Sequence, residues 1–106
     1  MWYAPRVRLS TAQDQGVTVK VEVNKHYGTL SFELINDHVA DYSSYYDRTI
    51  VEKNHFNEAV CVTVDYSTFN PTVWASIKDE FSISNNVSRV ILQFINEYKA
   101  SQVSSV

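Results

Sequence analysis

The sequence predicts an α+β fold: a four- to five-stranded antiparallel β-meander with two C-terminal α-helices packed on one face of the sheet. Three observations predict it. Between Gly16 and Ile35 apolar residues recur at every second position, the period of a half-buried strand. From Asn70 onward the apolar spacing changes to three and four, the period of an amphipathic helix. The chain has only two glycines and two prolines, so each one marks a boundary.

Taken in order, Trp2 to Ser10 alternates weakly, with Val7 and Leu9 set against Arg6 and Arg8. Pro5 has no N–H to donate, which places this segment at a sheet edge, protected from further pairing by the proline and the arginines. Gly16 to Val23 is the clearest strand: Val17, Val19, Val21 and Val23 share one face, and Thr18, Lys20 and Glu22 the other. Thr29 to Ile35 repeats the pattern with Leu30, Phe32 and Leu34. The intervening Asn24-Lys25-His26-Tyr27-Gly28 is polar and ends in glycine, which signals a hairpin. A short strand around Thr49 to Glu52 is a further candidate. Ala59 to Tyr66 puts Val60, Val62, Val64 and Tyr66 on one face, with Cys61, Thr63 and Asp65 on the other.

Asn70-Pro71 reads as a helix start, because asparagine caps and proline tolerates the first helical position. Val73, Ile77 and Phe81 follow at spacing four, with Trp74 beside them. A second helix starts near Ser84 or Asn85 and carries Val87, Val90, Ile91, Phe94, Ile95 and Tyr98 as one stripe. The short connection makes the helices neighbours. Residues 1–100 are expected to form one domain and 101–106 a flexible tail. The expected core is Val19, Val21, Phe32, Val62, Val64, Ile77, Val90, Ile91 and Phe94.

At 106 residues, 44% hydrophobic and 20% charged, the chain fits one folded domain rather than a disordered segment. Cys61 is the only cysteine, which removes internal disulfides and thiolate clusters and fits a reducing compartment. The first residues lack a signal-peptide pattern and no apolar run is long enough to span a membrane, so the expectation is a cytoplasmic protein without membrane contact. The triplet Asn86-Val87-Ser88 formally matches a glycosylation acceptor and is set aside for the same reason. A net charge of −3 lacks the strongly basic balance of a nucleic-acid binder.

No catalytic or cofactor motif is present, and a glycine-rich phosphate loop is excluded by the glycine count. The histidines, His26, His38 and His55, lack metal-ligand spacing. Asp37, His38 and Asp41 do cluster; a solvated turn with a helix cap accounts for them without a metal. Cys61 lies mid-strand between valines, where a structural thiol is the plainer reading than a nucleophile. The expectations are therefore no enzyme activity, no cofactor and no metal, with a small enzyme using His38 or His55 ranked third among the functional readings.

The unusual stretch is Asn36 to Glu58. It carries Asp37, Asp41, Asp47, Glu52 and Glu58 against Arg48 and Lys53, interleaved with Tyr42, Ser43, Ser44, Tyr45, Tyr46, His55 and Phe56. Tyrosine gives contact area at low entropic cost and serine adapts its hydrogen bonds, as in protein-binding loops. The competing reading is a short helix docked on the core through Val39, Tyr42 and Tyr46. Asp41, Tyr45, Tyr46 and Asp47 are the expected partner-binding residues. The polar sheet face, with Lys20, Glu22, Ser31, Glu33 and Thr63, is the other candidate surface.

The order strand, helix, turn, helix from Ala59 to Lys99 resembles the ribbon-helix-helix DNA-binding family, whose outward strand residues read the major groove. Here that outward set is Cys61, Thr63 and Asp65, where the family carries polar or basic side chains. The stretch Val62-Thr63-Val64-Asp65-Tyr66-Ser67-Thr68 leading to Trp74 and Val87, with Arg6 to Ser10 before the valine strand, looks like the coat proteins of small single-stranded RNA phages. That resemblance implies a dimer with a continuous sheet. Those proteins have additional N-terminal strands and a basic sheet, whereas Lys20 is offset here by Glu22 and Glu33.

The favoured reading is a non-enzymatic module that binds another protein with a basic surface, of the kind that serves as a small inhibitor or immunity-type protein of a phage or mobile element. A self-associating dimer that binds nucleic acid is the alternative.

Overall fold

The computed structural model describes residues 7–35 and 40–104. Strands β1 (Val7–Asp14), β2 (Val17–Asn24), β3 (Thr29–Glu33), β4 (Tyr42–Tyr46), β5 (Thr49–Lys53) and β6 (Ala59–Asp65) precede helices α1 (Pro71–Glu80) and α2 (Asn85–Ser104). The strands form one antiparallel sheet in the order β1-β2-β3-β6-β5-β4. The α+β class with two C-terminal helices is as expected, but the sheet has six strands rather than four or five. It consists of two three-stranded meanders joined where β3 pairs with β6, so the chain leaves β3 near the sheet centre and re-enters at the far edge.

Each hairpin has a local cause. Gln15 and Gly16 join β1 to β2, both with positive φ (50° and 83°), the geometry that matches strand twist in a two-residue turn. The turn pairs Asp14 with Val17, Ala12 with Val19 and Ser10 with Val21. Ser10, Ala12 and Asp14 therefore lie on the core face. Leu9 lies on the opposite face at 81% exposure, correcting the expectation that it belongs to an apolar side of this strand; the side chain of Val7 lies outside the described residues. In this case turn geometry overrode a weak alternation. Between β2 and β3, Asn24 accepts from Gly28 N at its carbonyl (2.9 Å) and from Tyr27 N at its side chain (3.2 Å), with Gly28 at φ 69°.

Asn54 organises the turn between β5 and β6. It is 1% exposed, its Oδ1 accepts from Phe56 N and Glu58 N (3.0 Å each), and its Nδ2 donates to Glu58 Oε1 (3.0 Å). Asn57 closes the turn at φ 63°, a left-handed conformation that asparagine tolerates.

One sheet face carries Val19, Val21, Val23, Leu30, Phe32, Val51, Val62 and Val64, all buried. From the helices Trp74, Ile77, Val90, Ile91, Ile95 and Tyr98 complete this core. Of the expected core residues only Phe94 departs: it is half-buried, its ring edge-on to Phe32 at 5.9 Å. α1 is capped as expected, with Asn70 Oδ1 accepting from Thr72 N (2.9 Å) and Pro71 in the first turn. Ser84 Oγ accepts from Val87 N (3.2 Å) at the start of α2. The two helices are tied by a buried bond from Trp74 Nε1 to Ser88 Oγ (2.9 Å).

α2 runs to Ser104, past Ser101, where the sequence places the start of a flexible tail. It packs across β1 and β2, and Arg89 Nε reaches Asp14 Oδ2 at 2.9 Å. No helix among the described residues is long and apolar enough to cross a membrane.

Candidate partner-binding surface

β4 is the strand the sequence did not show, and it holds the tyrosines singled out for binding. Its residues, Tyr-Ser-Ser-Tyr-Tyr, lack the aliphatic alternation that marks a core strand. It forms because the two-residue turn Asp47-Arg48 folds it back on β5, pairing Tyr46 with Thr49, Ser44 with Val51 and Tyr42 with Lys53. A docked helix over Tyr42 and Tyr46 is thereby replaced by a strand; Val39 lies outside the described residues, as do Asp37 and His38.

Alternation along β4 splits its side chains. Tyr42, Ser44 and Tyr46 lie on the helix side, while Ser43 and Tyr45 lie on the open face. The helices reach this strand only at its end. There the Tyr46 hydroxyl donates to Glu80 Oε2 (2.8 Å), and its ring meets Phe81 edge-on at 6.3 Å. Partial burial, then the neighbouring Glu80, pushes the Tyr46 phenol above its ordinary pKa. Tyr42 and Tyr45 remain 58% and 73% exposed.

The acids frame the strand. Asp41 is exposed at its start, where its N–H donates to the Lys53 carbonyl (2.9 Å) and its Oδ2 lies 3.3 Å from His55 Nδ1. Asp47 is exposed at its end and has φ 56°, a left-handed conformation that aspartate accepts more readily than bulky residues. Thus the four expected residues do not converge on a pocket. They lie in line along an edge strand, with the aspartates about 20 Å apart at ordinary strand rise, Tyr45 on the open face and Tyr46 anchored toward the helices. Sequence reasoning omitted Tyr42 from this set, although it sits on the same edge. It also omitted the neighbouring rings of His55 and Phe56, with centroids 4.0 Å apart and planes tilted by 38°, in the turn beside Asp41.

The open sheet face is the second candidate. A concavity of about 600 Å³ there is lined by Leu9, Lys20, Glu22, Glu33, Glu52 and Cys61 among others. Pairing places Glu33 and Glu52 on either side of Cys61. Burial, then Glu52 with help from Glu22 and Glu33, pushes the thiol up to about 11 despite a hydrogen bond from Thr63. The site therefore holds a neutral thiol at neutral pH, the opposite of what a nucleophile needs. Ser31 and Thr63 share a hydroxyl bond of 2.8 Å on the same face. Among the described residues, no group of three or more His, Cys, Asp or Glu side chains is placed to hold a metal ion.

Comparison with family models, curated proteins and solved structures finds no match to this chain.

Proposed function

We propose that this chain is a protein-binding module without chemistry of its own, which meets a basic surface of its partner through β4 and the acids at its ends. The observation that carries this reading is the position of Asp41, Tyr45, Tyr46 and Asp47 on one exposed edge strand and its flanks. Packing explains Tyr46, which is tied to Glu80 and Phe81, but not the exposed Tyr45 or the aspartates. Aromatic contact area framed by acids suits a basic protein surface. A small acidic domain covering such a surface would act as an inhibitor of whatever that surface otherwise binds.

The test is a double substitution, Asp41→Lys with Asp47→Lys, in a variant shown by circular dichroism to be folded. Association with the protein captured by the wild-type chain from its host should slow markedly, and the difference should shrink as salt rises. Tyr45→Ala should cost about 2 kcal/mol if Tyr45 is a central anchor. Unchanged kinetics in both variants would move the site to the open sheet face.

A further inference from the structure

Resting on that reading, we infer that the partner contributes an extended basic segment that adds to β4 as a seventh strand. In an antiparallel hairpin closed by the pair Tyr46 and Thr49, backbone hydrogen bonds to β5 fall at Tyr46, Ser44 and Tyr42, and at the start of the strand the Asp41 N–H also turns inward to the Lys53 carbonyl. The N–H and C=O groups of Ser43 and Tyr45 then point away from the sheet. Among the described residues nothing covers them.

Natural edge strands are blunted by proline, lysine, bulges or a covering element. β4 has no proline and no charged residue, and no register shift interrupts its pairing with β5. Its free groups form the template used by strand-adding peptides, in which the main chain supplies affinity and alternate side chains supply specificity.

Charge selects the occupant. A second copy pairing antiparallel through Ser43 and Tyr45 would use all the free groups. It would also bring Asp41, just before β4, toward Asp47 of the other copy, in the turn just after it, at both ends of the added pair. Like charges directly opposite are destabilising in a sheet. A partner segment with basic residues six positions apart removes both repulsions and places each cation beside an aspartate. Between them, the alternate positions flanking Tyr45 and Ser43 on the open face suit apolar side chains. Glu52, which pairs with Ser43 on that face, adds to the acidic field.

The probe is a synthetic peptide, Lys-Thr-Val-Thr-Val-Thr-Lys, with a glutamate-ended version as control. Titration into the full chain is followed by calorimetry and by amide exchange. The informative variant is Ser43→Pro, which removes one outward donor at an edge position where proline is tolerated and leaves Asp41, Tyr45, Tyr46 and Asp47 in place. The expected result has three parts. The lysine peptide binds and slows exchange at Ser43 and Tyr45, the glutamate peptide does not, and Ser43→Pro weakens binding at least tenfold. Loss of binding in the Asp41→Lys, Asp47→Lys variant but not in Ser43→Pro overturns strand addition while leaving the acidic-surface reading intact. Failure of the lysine peptide to bind, or equal binding of both peptides, overturns the inference. So does a wild-type dimer in sedimentation velocity that Ser43→Pro dissolves, because β4 then belongs to a second copy.

Discussion

Cys61 and Asn54 show how single residues are set by their neighbours. Cys61 sits between Glu33 and Glu52 on adjacent strands, and burial with these carboxylates holds its pKa near 11 rather than 9.0. Because the folded value is the higher one, this group's contribution to stability is fully present below pH 9 and is lost as pH rises through about 11. At pH 8 alkylation by iodoacetamide should run about 100-fold slower than for a free thiol, since only the thiolate reacts. Glu52→Gln should speed it. An alkylation rate equal to that of unfolded chain would show that the thiol is not held as described. For Asn54→Ala, the N–H groups of Phe56 and Glu58 lose their acceptor. A loss of about 1–3 kcal/mol in urea melts is expected, the range for leaving buried or part-buried donors unpaired. Nothing in the sequence distinguished Asn54 from the surface asparagines. Its role comes from a turn whose closure depends on the β5–β6 pairing, which is a tertiary fact.

At the scale of elements, legibility followed the strength of the apolar period. The valine strand β2, the hairpin to β3, strand β6 and both helices stand where the sequence puts them, because each has a face that must be buried. β4 was hidden for the converse reason: an edge strand exposed on much of both faces needs no aliphatic alternation, and tyrosine and serine fit it as well as a loop. β1 was found but turned over, because its register is fixed by Gln15 and Gly16 rather than by its own side chains. The four candidate binding residues were therefore legible by composition, while their arrangement in a line was not. Two substitutions test the helical layer. Asn70→Ala removes the cap on α1 and should cost about 1 kcal/mol. Ser88→Ala leaves the buried Trp74 N–H without its partner and should cost about 1–3 kcal/mol. A neutral Ser88→Ala would mean that the indole finds another acceptor and that the α1–α2 contact is not fixed by this bond.

For the whole molecule, the two edges of the sheet differ. β1 lies under α2 and is pinned by Arg89 to Asp14, whereas β4 is reached by the helices only at Tyr46, its outer backbone groups are uncovered among the described residues, and an acid flanks each end. With a net charge of −3 the chain as a whole favours a basic partner at long range, and β4 is where contact is expected to form. Amide hydrogen exchange over the full chain, alone and bound to its captured partner, tests this most directly. Binding should slow exchange within residues 41–48, most strongly at Ser43 and Tyr45, and leave the β1 edge at Leu9, Thr11 and Gln13 unchanged. Slowing at β1 or across the open sheet face, with none along β4, would contradict it.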